Sequence, residues 1–147
     1  MTAKTAKTAA DSTARPRGTL ATRTLAMPAD ANPSGDIFGG WVLSQMDIAG
    51  GITASARAAG RVATVAVDAM VFHRPVYVGD VLCTYADIIR VGRTSIAIQI
   101  EAWALRSRLG ERVKVTEGTF TLVAIDDAGR PRPVPPQGID AGEEPAA

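Results

Sequence analysis

The chain has 147 residues, of which 46% are hydrophobic and 21% are charged, and its formal net charge is +1. This is the size of one domain with a buried core, and the composition argues against wholesale disorder. The small net charge provides no basic field of the kind that nucleic-acid binding needs. No apolar run approaches the roughly 18 residues that span a bilayer, and a single cysteine, Cys83, excludes an internal disulfide. We therefore expect a globular cytoplasmic protein.

Both ends of the chain have low complexity. Residues 1–17 carry four basic residues and one acidic residue, and they contain no hydrophobic stretch of the kind found in a secretory signal. Residues 138–147 carry three acidic residues and no basic one. We expect residues 1–17 and 138–147 to be disordered tails on either side of a single domain, residues 18–137.

Between the tails the pattern predicts a strand, a helix and four more strands. Alternation indicates the first strand from Gly18 to Met27, and the turn-forming residues that follow predict a loop up to Gly40. From Gly40 onward, apolar residues at helical spacing predict a long helix, with Gly60 as its left-handed cap. Alternation with a period of two then predicts strands at residues 62–72, 81–90, 94–105 and 113–125.

This order of elements predicts an α+β fold, in which one long helix packs on a five-stranded antiparallel sheet. In the second strand, Val65, Val67 and Val71 are expected on one face, with Ala66, Asp68, Met70 and Phe72 on the other. One helix cannot cover both faces of such a sheet. The free face or an edge strand therefore needs a partner, which predicts at least a homodimer.

Two adjacent glycines, Gly50 and Gly51, lie inside the predicted helix. Together they cost on the order of 2 kcal/mol relative to alanines. A close approach of another element would explain them, either the sheet or a partner helix. Packing against the sheet is the favoured explanation.

The junction of loop and helix at Gly39 and Gly40 is the first candidate site. A helix N-terminus presents free N–H groups and a partial positive charge, and glycine allows an oxygen to approach them closely. Stabilising a thioester oxyanion requires such donors, although a simple tight turn would also use two glycines. Asp47 lies further along the helix in a mostly apolar sequence, where it is either a buried functional carboxylate or a solvent-facing residue.

The spacing of these two groups limits how they can cooperate. Gly40 and Asp47 are seven residues apart and therefore separated by roughly 10 Å along the helix axis. A carboxylate acting on a thioester must come within about 3–3.5 Å of the reacting carbon, or reach it through one water. If both groups are used, the simplest arrangement pairs Gly40 of one subunit with Asp47 of another.

Other polar features give weaker signals. The turn from Arg90 to Ser95 contains two arginines, a glycine and two hydroxyls, which suit a phosphate, but polar hairpin tips are common. His73 is the lone histidine, and a lone histidine at a strand end is more often structural than catalytic. The sequence contains no metal-ligand cluster, P-loop or dinucleotide fingerprint, so no metal or cofactor is expected. Ser44 lacks the context of a nucleophile elbow.

Several stretches, in this order and spacing, resemble the YciA-type acyl-CoA thioesterases, a hot-dog-fold family, and the resemblance covers residues 18–135. The matching stretches are Arg23–Pro28, Gly35–Trp41, Ser44–Asp47, Val78–Val81 and Val91–Ser95. The resemblance implies a central helix wrapped by the sheet, dimers with paired active sites, and commonly trimers of dimers. It also implies hydrolysis of acyl-CoA to free acid and CoA, often over a broad range of chain lengths.

The resemblance further implies roles for individual residues. Asp47 matches the catalytic carboxylate, and Gly40 falls where the helix N-terminus polarises the thioester carbonyl. Asp36 occupies the position of a catalytic Asn in related two-domain thioesterases, which implies a supporting polar role. Residues expected to bind CoA are Phe72, His73 and Arg74 at the strand end, and Arg90, Val91, Gly92, Arg93, Thr94 and Ser95 in the turn.

Two other functions stay open. One is an acyl-thioester hydratase or dehydratase, whose chemistry usually depends on a His paired with an acid, but no motif around His73 supports it. The other is a non-catalytic acyl-CoA-binding protein, which would bind CoA without turnover. A carboxylate at Asp47 argues against this second alternative.

Overall fold

The computed structural model describes residues 15–106 and 110–137. Its elements are β1 (Thr19–Leu25), a 3-10 turn (Pro28–Asp30), α1 (Gly39–Ala58), β2 (Val62–Phe72), β3 (Val81–Val91), β4 (Ser95–Arg106) and β5 (Glu111–Ala124). The helix and the five strands match the predicted elements to within a few residues, and the 3-10 turn lies within the predicted loop. Most of the two predicted tails, residues 1–14 and 138–147, lies outside the described residues. Within the described ranges, none of the helices has the length and apolar character to span a bilayer.

The five strands form one antiparallel sheet in the order β1-β3-β4-β5-β2, so β1 and β2 are its edges. The helix α1 packs on one face of this sheet and contacts all five strands. Apolar side chains of α1 and of the central strands fill the space between them. The fully buried members include Met46, Ala49, Ile98, Ile100, Phe120 and Leu122. The predicted α+β architecture is confirmed.

The helix ends one residue earlier than the sequence suggested. Ala59, and not Gly60, adopts the left-handed conformation, with φ 52° and ψ 43°. The amide of Gly60 donates to the Ser55 carbonyl at 3.1 Å, and the amide of Ala59 donates to Ala56 at 3.4 Å. These two bonds form a Schellman motif, in which the glycine usually occupies the left-handed position. The expectation that Gly60 is the left-handed cap was wrong by one residue.

The two helical glycines have different environments. A Cβ atom at Gly50 would lie 3.1 Å from Ile100 Cδ1 and 3.4 Å from Leu122 Cδ1. Gly50 therefore allows α1 to approach the sheet closely, as expected. A Cβ atom at Gly51 would meet nothing within 4 Å, so packing inside this chain does not explain it.

This packing predicts that Gly50 and Ile100 are energetically coupled. Alanine at Gly50 gains about 1 kcal/mol of helix propensity but crowds Ile100 Cδ1. The Ile100→Val substitution removes that methyl group. We expect Gly50→Ala to be more favourable in the Ile100→Val background by about 0.5–3 kcal/mol, measured by denaturant unfolding of the four proteins. Strictly additive effects would contradict sheet packing as the reason for Gly50.

Two irregularities interrupt β2, so its faces differ from the simple alternation. The pairing with β5 shifts between Thr64 and Ala66 and again between Asp68 and Val71. As a result, Val67 lies opposite the buried residue Phe120, whereas Val71 lies opposite Glu117. Since Phe120 belongs to the core beneath α1 and Glu117 does not, the two valines face opposite sides of the sheet. The prediction that Val65, Val67 and Val71 share one face was wrong.

The second irregularity depends on a glycine in the neighbouring strand. Ala69 has φ 53°, which is uncommon for a residue with a side chain. A Cβ atom at Gly118 would lie only 2.8 Å from Met70 Cγ. The missing side chain of Gly118 therefore leaves room for Met70, which packs against the core.

Much apolar surface of α1 and β2 is exposed in the single chain. On β2, Val65 and Val71 are each 59% exposed, although β-branched residues favour half-buried sheet surfaces. The other exposed apolar residues of these two elements are Leu43, Ile48, Ile52, Val67 and Phe72. An unpaired edge strand next to an exposed apolar helix face is typical of a surface that a partner covers.

The sheet face away from α1 carries a polar network. Glu101 is only 5% exposed and accepts a hydrogen bond from the Trp103 indole at 2.9 Å. Lys114 lies 3.6 Å from Glu101 and 2.7 Å from Glu117, so it links the two carboxylates. The hydrogen bond from Lys114 lowers the pKa of Glu117, against the opposing effect of partial burial.

Candidate active site

The loop before α1 is organised by Asn32. Its side-chain oxygen accepts hydrogen bonds from the amides of Ser34 at 2.9 Å and Asp36 at 3.1 Å. Asp36 forms a backbone bridge with Tyr77, and the next amide, Ile37, donates to Val76 at 3.0 Å. These bonds fix the path of the chain into the helix. Within the described residues the Asp36 carboxylate itself makes no hydrogen bond or ion pair.

The helix N-terminus is open to a ligand. The Phe38 residue at the N-cap provides no side-chain cap, and the first turn contains no acidic residue. The amides of Trp41 and Val42 donate to the Phe38 carbonyl, whereas those of Gly39 and Gly40 have no acceptor among the described residues. A Cβ atom at Gly40 would meet nothing within 4 Å. Two N–H donors without an acceptor among the described residues therefore lie at the positive end of the helix dipole, and the space at Gly40 is open.

Gly39 opens into a cleft of about 280 Å³ between the start of α1 and the chain that follows β2. The Phe72 ring lies against Gly39, where an added Cβ would be 3.5 Å from it. The His73 amide donates to the Val115 carbonyl at 2.8 Å, which ties this wall of the cleft to β5. The residues that line the cleft are Ile37, Gly39, Val42, Phe72, His73, Arg74, Pro75, Val76 and Val115. The structure thus brings the predicted residues Phe72, His73 and Arg74 to the helix N-terminus.

Asp47 lies in the middle of α1 and is exposed in the single chain. Its Oδ1 atom accepts a hydrogen bond from the Thr64 hydroxyl at 2.5 Å. The sequence left open whether Asp47 is buried or faces solvent, and in the isolated chain it faces solvent. The bond from Thr64 orients the carboxylate. The other oxygen, Oδ2, accepts no hydrogen bond from the described residues. Thr64 could not be recognised from the sequence, because nothing local marks a threonine that contacts a helical residue 17 positions earlier.

The turn from Arg90 to Ser95 lies at the other end of the molecule. It joins β3 to β4, and Ser95 pairs with Val123 near the end of β5, where α1 also ends. The cleft lies instead at the start of α1, and the 20 residues of this helix span about 30 Å. One chain therefore does not bring the turn and the residues at Phe72–Arg74 to the same place.

Comparison with known proteins finds relatives that are all thioesterases. The sequence pattern of the family described as the thioesterase superfamily matches residues 34–111. The acyl-CoA thioester hydrolase YciA of Salmonella typhimurium is 56% identical over 126 residues, which are 84% of this chain and 95% of that protein. The YciA protein of Escherichia coli is 54% identical, with coverage of 82% and 93%.

The solved structures that resemble this chain are also thioesterases. The hexameric thioesterase y2039 from Yersinia pestis has 56% identity and a TM-score of 0.80, and covers 83% of this chain and 99% of its own. A hexameric broad-specificity acyl-coenzyme A thioesterase has 48% identity and a TM-score of 0.82, with coverage of 87% and 88%. A hexameric hot-dog-fold thioesterase of Campylobacter jejuni is 39% identical, with a TM-score of 0.77, and covers 82% and 93%. This chain, with its single long helix on a five-stranded antiparallel sheet, belongs to the thioesterase superfamily and has the hot-dog fold.

Proposed function

We propose that the protein hydrolyses acyl-CoA to a free acid and CoA over a broad range of chain lengths. The observation that carries this proposal is the pair of N–H groups at Gly39 and Gly40 without an acceptor among the described residues, next to a cleft that Gly39 lines. Such donors stabilise the negative charge that develops on a thioester oxygen during acyl transfer. The names of the YciA relatives and of the broad-specificity thioesterase support the same reaction.

In the proposed mechanism, the thioester carbonyl binds at the N–H of Gly40 and Asp47 supplies the second group. Asp47 either activates a water molecule, which attacks the carbonyl and displaces the CoA thiolate, or attacks the carbonyl itself. In the second route the CoA thiolate leaves as a mixed anhydride forms, and water then hydrolyses the anhydride to the free acid. The Thr64 hydroxyl orients the carboxylate for either route. Asp36, close to the helix start, has a supporting polar role. In single-turnover hydrolysis in heavy-oxygen water, label that enters the Asp47 carboxylate establishes the covalent route, since a general base acquires none.

The proposed active unit is a homodimer with sites shared between subunits. Gly40 and Asp47 of one helix are roughly 10 Å apart along its axis, which is too far for both to act on one carbonyl. The exposed apolar residues of α1 and the free edge of β2 flank Asp47 and suit a second copy of the chain. We further propose that three such dimers form a hexamer, since the solved relatives are hexameric.

A shared site also unites the proposed CoA-binding residues. Phe72, His73 and Arg74 lie at the start of α1, whereas the turn from Arg90 to Ser95 lies at its end. An antiparallel arrangement of two helices in a dimer would bring the cleft of one subunit to the turn of the other. The arginines and hydroxyls of the turn would then contact the CoA phosphates.

The first test measures CoA release from a panel of acyl-CoA esters, using the absorbance of a reagent that reacts with the free thiol. Turnover that depends on the acyl chain would establish the activity and begin to define the substrate. Tight CoA binding without turnover would reject hydrolysis and favour a non-catalytic acyl-CoA-binding protein instead.

His73 distinguishes hydrolysis from the hydratase alternative. Because His73 lines the cleft, we expect His73→Ala to raise KM for acyl-CoA, while kcat falls by less than about threefold, since proton transfer does not depend on it. Steady-state hydrolysis of the variant measures both constants. If kcat were lost almost completely, His73 would act in proton transfer and the hydratase chemistry would return as the better explanation.

A further inference from the structure

The chain that follows β2 forms one wall of the cleft, and backbone bonds alone do not hold all of it. The amides of His73 and Arg74 donate to the Val115 carbonyl, which fixes the beginning of this wall to β5. Pro75 comes next and has no N–H to donate. Its carbonyl instead accepts a hydrogen bond at 3.1 Å from the guanidinium of Arg106, at the end of β4. Arg106 thus anchors this wall at Pro75, between the backbone bonds to Val115 and the bond from Ile37 to Val76.

Arg106 makes two further contacts on the same segment. Its guanidinium lies over the Tyr77 ring, 4.9 Å from the ring centre. Its Nε atom lies 3.5 Å from Asp80, whose side chain is only 8% exposed. Asp80 in turn accepts a hydrogen bond from the Tyr77 amide at 2.9 Å. A planar guanidinium suits this combination of hydrogen bond, ion pair and ring contact, whereas a lysine ammonium does not.

The same segment is bonded to the loop that enters α1. The Ile37 amide donates to the Val76 carbonyl at 3.0 Å, and Asp36 bridges to Tyr77. Displacement of residues 75–77 would therefore move both the wall of the cleft and the chain that leads to Gly39. Arg106 itself is absent from the residues that line the cleft.

We propose that Arg106 is a positioning residue, which sets the spacing between the cleft wall at residues 73–76 and the start of α1. This inference rests on the proposed function, because it assigns the cleft to substrate binding. Arg106 acts through Pro75 and Tyr77 and does not touch the substrate. Its loss should therefore weaken substrate binding more than it slows the chemical step.

The test compares Arg106→Met with Arg112→Met in steady-state hydrolysis of one acyl-CoA. Arg112 is an exposed arginine on β5 whose side chain makes no hydrogen bond or ion pair with the described residues, so it controls for the lost charge. We expect Arg106→Met to raise KM about tenfold with kcat changed less than about threefold, and Arg112→Met to leave both near wild type. Equal KM values for the two variants would overturn the proposal.

Arg106→Lys guards against misfolding, since it keeps a positive charge beside the buried Asp80. It should fold normally and raise KM to an intermediate value. Hydrogen exchange of the Ile37 amide gives a reading that does not require activity. Faster exchange there in both Arg106 variants, but not in Arg112→Met, supports positioning, and unchanged exchange overturns it. If the wild type did not hydrolyse acyl-CoA, the proposed function would fail, while this exchange measurement would still decide the role of Arg106.

Discussion

Replacing Asp47 with asparagine is expected to lower kcat for acyl-CoA hydrolysis by at least about a hundredfold. Asparagine keeps the shape of the side chain, and its amide oxygen can still accept the hydrogen bond from Thr64. It cannot serve as a general base or as a carboxylate nucleophile. Because the side chain is exposed in the single chain, thermal unfolding should change little. CoA release and the melting temperature are measured on the same preparation.

The matched control for this variant is Asp127→Asn. Asp127 is an exposed aspartate in the turn after β5, and its substitution removes the same charge with the same change of shape. We expect its kcat to equal that of the wild type. If Asp47→Asn were as active as Asp127→Asn, the carboxylate at position 47 would have no part in the chemistry.

Mixed oligomers should recover activity that neither parent has. One parent carries Asp47→Ala, and the other carries Gly40→Pro, which removes the proposed oxyanion donor. Proline is tolerated in the first turn of a helix, and the space at Gly40 is open. In randomly mixed two-fold dimers about one quarter of the sites would combine an intact Gly40 with an intact Asp47. The expected activity of an equal mixture, unfolded and refolded together, is therefore about one quarter of the wild type.

Gly40→Ala is the control for this experiment, because it adds a methyl group and keeps the N–H. It should retain clearly more activity than Gly40→Pro, because only the proline variant lacks the N–H donor. An equal mixture whose activity is only the mean of its two parents would contradict a site shared between subunits. Both groups would then have to act within one chain.

The fold was largely predictable because its signals are local. Alternation in the strands and helical spacing after Gly40 depend on neighbouring residues, and they located the helix and the five strands to within a few residues. The errors arose where distant residues decide. The irregularity near Ala69 depends on the space at Gly118 in another strand, so the pattern of β2 alone gave the wrong face for Val71. Likewise, nothing local indicates that the left-handed conformation falls on Ala59 instead of on Gly60.

In the candidate site, too, the local features could be predicted from the sequence and the long-range contacts could not. The free donors at Gly39 and Gly40 follow from helix geometry and could be predicted from the sequence. Thr64 and Arg106 could not, since each reaches its partner across the fold, from β2 to α1 and from β4 to the cleft wall. The position of the Arg90–Ser95 turn relative to the cleft was equally hidden, because it depends on the direction of α1 across the sheet.

The interrupted geometry of β2 also limits what can be added to the sheet. An edge strand with regular pairing along its whole length can recruit chain after chain, which leads to fibrils. In β2 the irregularities on either side leave only Ala66–Asp68 as regular strand in the middle, and Ala69, with its positive φ, follows immediately. A neighbouring strand can therefore align in few registers and over a short length. The edge accordingly favours self-limiting association over open-ended polymerisation.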